Sequence, residues 1–466
     1  MATVPAGTLM QRAAAGLARR CAQLLADRFG GVYGRRVLLL IGAGSNGGDA
    51  LFAGARLAAR GVVVRALLLD PGRAHAEGLA ALRAAGAITV DSAPAAVDLV
   101  MDGVVGIGGR GGLRPAAASV VSAAATANAS DGGRPIMVAV DVPSGVDPDT
   151  GEVPGEAVTA DVTVTFGCLK PGLVVGAGAV RAGLVDLVDI GLSLPEPPVL
   201  RIAAQADVRG WWPVAGRDSD KYRRGVVGVA TGSSTYPGAA VLSVAGASAG
   251  PAGMVRYAGS AADYIRQRHP SAVVTGSVTG AGRVQAWVCG SGLGTDERAI
   301  GELRAVLAAP VPVCLDADAL GLVMHGPVRE RLAQRSAPTV VTPHDREFAR
   351  LAGAPPGADR VASALGLAAQ LNVTVLLKGD RTVVASPDGE VWVNPTGTAA
   401  LASGGTGDVL AGLLGSLLAG GLSAVRAAVA AAYAHGMAGR AAAEDGPVTS
   451  ADVAAALRSS VGVLLA

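Results

Sequence analysis

Short, uninterrupted apolar runs alternate with alanine-rich helical stretches along this chain, and this alternation most constrains its fold. The runs lack the period-two pattern of half-buried strands, as expected for parallel strands covered on both faces. We therefore predict an α/β fold with mostly parallel sheets. The predicted strands are Val37–Ile41, Val62–Leu69, Leu99–Val105, Ile136–Val140, Val162–Phe166, Val226–Ala230, Val284–Cys289, Val311–Leu315, Thr339–Val341, Val373–Leu377 and Thr382–Ala385.

The alternation lapses between Leu194 and Trp212, in a proline-containing stretch without a strong period. A chain of 466 residues is long enough for two or more domains. Because the two halves share no repeated sequence, we predict two different α/β domains. Their predicted extents are 1–195 and 215–466, joined by a linker over 196–214. An amphipathic helix over Thr8–Arg28 is expected to cover the first sheet.

Composition excludes several classes of protein. The chain has 39 basic and 37 acidic residues, and 3% of its residues are aromatic. It therefore lacks the positive charge and the stacking surface of a nucleic-acid-binding protein, and it lacks the positive charge needed to bind an anionic membrane. The four cysteines form no CxxC pair, so neither a zinc site nor a disulfide framework is predicted, and a cytoplasmic location is expected. The uncharged run Val409–Val425 approaches the length of a membrane span, but its glycines favour buried helices.

Three loops in the first half follow predicted strands and carry polar groups. Gly42–Asp49 leads from a strand into a helix expected to open at Ala50, and Asp102 and Asp141 end two further strands. Such loops meet at the carboxyl edge of a parallel sheet, where ligands bind. The glycines suit a phosphate at a helix start, and they also fit GxGxxG with Asp70 as a ribose-binding acid, so a hydride-transferring oxidoreductase stays an alternative. Each Asp could equally be an ordinary cap.

The second half has a comparable set of loops. Ser403–Asp408 puts small residues and one carboxylate before a helical run expected to start at Val409, which makes an anion hole beside a base. Four more motifs follow predicted strands on the same rim. These are Gly290–Gly294, Leu315–Leu320, Thr342–Phe348 and Lys378–Thr382.

The first half, over about residues 8–190, resembles the NAD(P)HX epimerase domain in its glycine turn, its Asp-Gly segment and Asp141–Asp147. The resemblance implies a Rossmann-like three-layer sandwich. It implies Asp141 as the proton-transfer residue, and a potassium ion held by Asn46, Asp102 and Ser144. It also implies contacts to the hydrated nucleotide from Ser45, Asn46, Gly47, Gly48, Asp49, Gly106, Ile107, Gly108, Gly109, Arg110, Gly111, Gly112 and Asp141.

The second half, over about residues 215–465, resembles the ADP/ATP-dependent NAD(P)HX dehydratase in the motifs above and in Asp220–Gly225 and Tyr236–Ala240. The resemblance implies a ribokinase-like α/β domain with Asp408 as the catalytic base. The implied substrate contacts are Ala239, Gly292, His344 and Asp408. The implied nucleotide contacts are Lys378, Gly379, Asp380, Arg381, Thr382 and Gly407.

Both resemblances in this order imply the family of bifunctional NAD(P)H-hydrate repair enzymes. The first half would interconvert the R and S hydrates of NADH and NADPH, and the second would dehydrate the S form with ADP or ATP and magnesium. A homo-oligomer is also expected. The alternatives are a ribokinase-like kinase of a vitamin precursor, and a first half that only binds its ligand.

Overall fold

The computed structural model describes residues 5, 7–194 and 196–466. The chain divides into two compact units, with the boundary between Pro197 and Pro198. Each unit is built around its own sheet. The predicted end of the first domain at residue 195 lies outside the described residues.

The first unit has a parallel sheet of seven strands in the order β3-β2-β1-β4-β5-β6-β7. Its strands are β1 (Arg36–Ile41), β2 (Val63–Leu68), β3 (Ile88–Val90), β4 (Leu99–Gly103), β5 (Ile136–Val140), β6 (Val162–Phe166) and β7 (Leu184–Val188). Its helices are α1 (Thr8–Phe29), α2 (Ser45–Ala58), α3 (Ala76–Ala84), α4 (Pro115–Ala125) and α5 (Gly176–Ala182).

Helices cover both faces of this sheet, which confirms the predicted three-layer sandwich. Leu39 and Ile41 of β1 pack into the core with α1 and α2, whereas Leu38 and Leu40 pack into the core with α4. Neighbouring strand residues point to opposite faces, so a strand buried on both sides needs an unbroken apolar run. The strand order reverses between β1 and β4, and the carboxyl ends at such a point form a crevice.

The second unit has a ten-stranded sheet in the order β11-β10-β9-β12-β13-β14-β15-β16-β17-β8. Its strands are β8 (Arg201–Ile202), β9 (Val226–Ala230), β10 (Met254–Ala258), β11 (Val273–Thr275), β12 (Ala286–Cys289), β13 (Val313–Leu315), β14 (Thr339–Val341), β15 (Thr374–Leu377), β16 (Val383–Ala385) and β17 (Val391–Val393). Its helices are α6 (Gln205–Trp211), α7 (Pro237–Ala249), α8 (Ala262–Arg268), α9 (Glu297–Ala308), α10 (Asp318–Leu322), α11 (Gly326–Ala333), α12 (Asp345–Ala352), α13 (Arg360–Leu371), α14 (Thr406–Ala419), α15 (Ala424–Ala443) and α16 (Ser450–Leu465).

The uncharged run Val409–Val425 belongs to α14 and the start of α15, and every residue of α14 from Val409 onward is buried. Its glycines permit close packing. A Cβ on Gly412 would collide with the carbonyl oxygen of Ser243 in α7, and a Cβ on Gly415 would collide with Val288 in β12. The expectation of buried helices is therefore confirmed. Within the described ranges, no helix combines the length and the apolar character needed to cross a membrane.

Three sequence predictions differ from the structure. Residues 198–214 of the predicted linker belong to the second unit, where β8 pairs with β17 and α6 packs on α15; elements this short show no sequence period. Helix α2 begins at Ser45 rather than Ala50, and α14 begins at Thr406 rather than Val409. Glycine is a poor helix former, but tertiary packing overrides that preference at both starts.

Ala317, between Asp316 and Asp318, has φ 51° and ψ −116°, a conformation that favours glycine. We expect Ala317→Gly to raise the free energy of unfolding by about 1 kcal/mol, because it removes the steric cost of the Cβ. Denaturant unfolding of the variant measures the change. The matched control is Ala319→Gly, in helix α10 and fully buried, which should destabilise the unit instead. Equal destabilisation by both substitutions would contradict the prediction.

Candidate active sites

In the first unit, Asp102 and Ser144 form one buried polar group at the ends of β4 and β5. Ser144 donates from its hydroxyl to Asp102 Oδ1 at 2.6 Å and from its backbone N–H to Oδ2 at 2.8 Å. The same hydroxyl accepts from Val105 N–H at 2.9 Å. Burial raises the pKa of Asp102 to about 6, and the hydrogen bonds from Ser144 limit the increase. Asp102 therefore lies beneath the loop that follows β4.

Asn46 and Asp49, two buried residues near the start of α2, line the same crevice. A Cβ on Gly106 would lie 3.0 Å from the amide Oδ1 of Asn46, so the two loops touch. Asn46 Nδ2 and Asp49 Oδ1 are buried and have no hydrogen-bond partner within the described residues. Burial and then the charge of Asp141 raise the pKa of Asp49 to about 7. Two buried polar atoms without partners are typical of a site that a ligand completes.

Asp141 follows β5 with φ 66°, an uncommon conformation for a non-glycine residue, which is often found at functional sites. Its carboxylate turns toward β6. Oδ1 accepts from Thr165 Oγ1 at 3.0 Å, from Phe166 N–H at 3.2 Å and from Lys170 Nζ at 2.5 Å. The Asp141–Lys170 ion pair is largely enclosed, with each side chain 12% exposed.

The remaining predicted contacts of this unit are spread along the rim. Ser45 is exposed at the start of α2, whereas Gly47 and Gly48 are buried beside it. Ile107 is 56% exposed, and Gly108 and Gly111 have open space around them. Gly109 packs on Val105, Gly112 packs on Gly155, and Arg110 donates to Asp149 at 3.0 Å. Among the glycines of the predicted segment 106–112, Gly106 is thus the one that packs against Asn46.

In the second unit, Lys378 is the centre of a polar cluster at the ends of β13, β14 and β15. Its Nζ donates to Asp316 Oδ1 at 2.8 Å and lies 3.5 Å from Glu347 Oε2. Asp316 also accepts from Thr342 Oγ1 at 2.7 Å and from Ser291 Oγ at 3.3 Å. Burial alone would lower the pKa of Lys378, but the charges of Asp316 and Glu347 raise it, so its ammonium stays protonated.

Asp408 and Gly407 lie in the first turn of α14, above this cluster. A Cβ on Gly407 would come 3.4 Å from Lys378 Nζ and 3.6 Å from Asp316 Oδ2, so the ammonium lies directly against the helix start. Burial and then the charge of Asp316 raise the pKa of Asp408 to about 7. A helix N-terminus with a lysine and a carboxylate of near-neutral pKa can hold an anion beside a general base.

His344 is the N-cap of α12, with its side chain half exposed. Its Nδ1 accepts from the backbone N–H of Arg346 and Glu347, and Glu347 in turn lies near Lys378. Ala239 and Gly292 lie together, since a Cβ on Gly292 would come 2.8 Å from the Cβ of Ala239. Glu347 thus connects His344 to the Lys378 cluster, and Ser291, which donates to Asp316, connects Gly292 to it.

The predicted nucleotide contacts after Lys378 form the turn between β15 and β16. Thr382 Oγ1 donates to Gly379 O at 3.0 Å, and Arg381 donates to Pro395 O at 2.7 Å. Asp380 packs against Gly397, where a Cβ would collide with its carbonyl oxygen. Arg381 is thus engaged with the loop before α14.

Sequence reasoning missed several residues of these clusters. Lys170, Asp316 and Glu347 received no role, and neither did His435. Burial lowers the pKa of His435 to about 4, so its imidazole is neutral beside Thr406. One sequence signal was available. The chain has three lysines among its 39 basic residues, and two of them, Lys170 and Lys378, hold the carboxylates of the two sites.

Both units match known families. Residues 227–459 match the family model described as NAD(P)H-hydrate dehydratase, and residues 6–172 match the model of the YjeF-related protein N-terminus. The bifunctional NAD(P)H-hydrate repair enzyme of Mycobacterium leprae is 52% identical over 387 residues, which cover 83% of this chain and 79% of that protein.

Two further relatives each match one unit. The NAD(P)H-hydrate epimerase of Clavibacter michiganensis is 44% identical over 210 residues, covering 42% of this chain and 87% of that protein. The ADP/ATP-dependent NAD(P)H-hydrate dehydratase of Bacillus subtilis, co-crystallised with ATP/Mg2+, is 30% identical with a TM-score of 0.52 and covers 57% of this chain and 99% of its own. With a relative above half identity along most of both proteins, the chain belongs to the family of bifunctional NAD(P)H-hydrate repair enzymes.

Proposed function

We propose that this chain repairs hydrated NADH and NADPH with two activities, one in each unit. The first unit epimerises the R and S hydrates, and the second dehydrates the S hydrate. The observation that carries the proposal is the match over both units to relatives named for both activities. The geometry supports it, because each unit has a carboxylate at the carboxyl edge of its sheet beside a lysine.

In the epimerase unit, Asp141 is the proton-transfer residue. Its Oδ1 is held by three donors, so the carboxylate has one fixed orientation. The substrate contacts are the α2 turn from Ser45 to Asp49 and the segment from Gly106 to Gly112. Asp49, whose pKa is near neutrality, keeps a proton at pH 6 and so can donate a hydrogen bond to the ligand.

Potassium fits the residues that the resemblance implies. Asn46, Asp102 and Ser144 offer amide, carboxylate and hydroxyl oxygens, which hard cations prefer. Asn46 Nδ2 is buried without an acceptor among the described residues, and rotating the amide would put an oxygen in that place. The bound ion would supply a fixed positive charge beside the buried Asp102.

Gly106→Ala tests this assignment. The added Cβ would lie 3.0 Å from Asn46 Oδ1, so Asn46 must shift, and we expect potassium affinity to fall about tenfold, the loss of one good contact. The measurement is the thermal shift produced by KCl relative to NaCl, which requires no substrate. Gly108→Ala is the matched control, because its Cβ meets open space. An unchanged potassium response in Gly106→Ala would argue against Asn46 as a ligand.

In the dehydratase unit, Asp408 takes the proton from the substrate hydroxyl as the hydroxyl oxygen receives the terminal phosphoryl group, and the nucleotide leaves as AMP from ADP or as ADP from ATP. Loss of phosphate together with a proton from the neighbouring ring carbon then restores the nicotinamide ring. A base with a pKa of about 7 suits this step at neutral pH. The start of α14 and Lys378 bind the phosphates of ADP or ATP, and Mg2+ would neutralise part of the phosphate charge there. Lys378–Thr382 and Gly407 are the nucleotide contacts, and Ala239, Gly292 and His344 contact the hydrate.

A mixture of R and S NADHX, with ADP or ATP and magnesium, tests both activities at once. We expect the reduced-nicotinamide absorbance to recover completely with one of the nucleotides. Recovery that stops at the S fraction would remove the epimerase half of the proposal. A stable phosphorylated product without recovery would instead support the rival, a ribokinase-like kinase.

We also propose that the chain forms a homo-oligomer. At the edge of the first sheet, β7 exposes Leu184 (67%) and Leu187 (49%), apolar side chains that a second copy would cover. Light scattering of the purified chain measures its mass in solution.

A further inference from the structure

Lys170 makes three hydrogen bonds inside the first unit. Its Nζ donates to Asp141 Oδ1 at 2.5 Å, to Thr165 Oγ1 at 2.9 Å and to the carbonyl oxygen of Phe166 at 2.9 Å. An ammonium group has three N–H donors, so each donor has one acceptor. Thr165 closes a ring, since its hydroxyl donates to the same Asp141 oxygen.

This ring distinguishes the two oxygens of Asp141. The three side-chain and backbone donors that reach the carboxylate from the described residues all end on Oδ1. Oδ2 is therefore the oxygen left to exchange a proton with a ligand. The direction of this oxygen depends on Lys170, because the ion pair holds the carboxylate in one orientation.

Residue choice supports a specific requirement for lysine here. The chain has three lysines among 39 basic residues, so arginine occupies nearly every other basic position. A guanidinium is a planar fork whose donors cannot converge on three acceptors around one nitrogen. A tetrahedral ammonium can, and Lys170 does.

From these contacts we propose that Lys170 is a positioning residue of the epimerase, which fixes Asp141 through Oδ1 so that Oδ2 transfers the proton. The inference rests on the proposed epimerase function. Lys170 acts through Asp141, so its loss lowers the turnover rate while substrate affinity changes little.

The test uses the full chain and pure R hydrate, with R-to-S conversion followed by chromatography in saturating KCl. Lys170→Met and Lys170→Arg should each lower kcat about 30-fold with little change in KM. Thr165→Val removes one neutral hydrogen bond to the same oxygen and should lower kcat by about tenfold or less. Circular dichroism and the thermal midpoint show whether each variant is folded.

Chemical rescue separates positioning from a merely structural role. Methylammonium should restore part of the kcat of Lys170→Ala, whereas tetramethylammonium, with the same charge and no N–H, should not, and neither should accelerate the parent chain. The proposal would be overturned if folded Lys170→Met and Lys170→Arg kept the parent kcat. It would also be overturned if methylammonium and tetramethylammonium raised the kcat of Lys170→Ala to the same extent.

The parent chain and Asp141→Asn separate this inference from the proposed function. If the parent chain converts no R hydrate, the proposed function fails. If the parent chain converts R hydrate and Asp141→Asn does not, a failure of the Lys170 tests concerns this inference alone.

Discussion

Asp408→Asn is expected to lower the dehydration rate about 10³-fold or more, with ADP or with ATP, because an amide cannot take the hydroxyl proton. The neighbouring charges remain in place, since Lys378 is still paired with Asp316. The proposed phosphate-binding groups, Lys378 and the start of α14, are retained as well, so KM for the nucleotide should change much less than kcat. The assay follows nicotinamide absorbance from pure S hydrate.

The parent enzyme should show the matching pH dependence. Asp408 has a pKa of about 7, so the fraction of ionised base, and with it the dehydration rate, should rise with pH through about 7 and level off above it. A rate that falls over this range would contradict Asp408 as the base. The dehydration rate of Asp408→Asn should not rise with pH over this range.

The free energy of unfolding shows whether Asp408→Asn is folded, which is the control for its lost activity. A carboxyl with a raised folded pKa binds its proton more tightly when folded, so its contribution to stability falls as pH rises from about 4 to about 7. Asn removes this cost, and we expect the variant to be more stable than the parent by roughly 2–4 kcal/mol at pH 8, and equal to it near pH 4. A destabilised variant at pH 8 would mean that its lost activity reflects damage to the fold.

Asp141→Asn is expected to lower epimerisation about 10³-fold while dehydration of the S hydrate stays at the parent rate. The amide can still accept hydrogen bonds from Thr165 and Phe166, but it loses the charge that pairs with Lys170. With mixed hydrates and excess nucleotide, recovery of absorbance should therefore stop near the S fraction.

The two substitutions are controls for each other, because each acts in a separate unit of the same chain. Full recovery by Asp141→Asn would show that another group transfers the proton. Asp49 would then be the first candidate, because its pKa is near neutrality. Loss of both activities in either variant would point to a folding defect rather than to chemistry.

Much of the architecture could be predicted because buried parallel strands have an unmistakable apolar pattern. Each of the predicted strands is present, with ends shifted by two residues or fewer. The strands that were missed are mainly short or at sheet edges, such as β3 and β11 with three residues and β8 with two. Segments of that length have no detectable period, and their pairing is decided by neighbours distant in sequence.

The sites divide in the same way. Glycine-rich loops after strands could be recognised from local sequence, and the sheet order places them at one edge. The partners of the site carboxylates could not be recognised from local sequence. Asp141 and Lys170 are 29 residues apart, and Asp316 and Lys378 are 62 residues apart. Only the fold brings such pairs together, and the roles of the predicted site residues stay predictions until the variants are measured.

Helix α14 has a further consequence for how the second site works. Its first turn carries Asp408, while its body is buried and its glycines hold it against α7 and β12. Amide protons in the middle of this helix should exchange with solvent only through global unfolding. The proposed base is therefore preorganised by the core itself, and any closure over the proposed nucleotide must come from the surrounding loops.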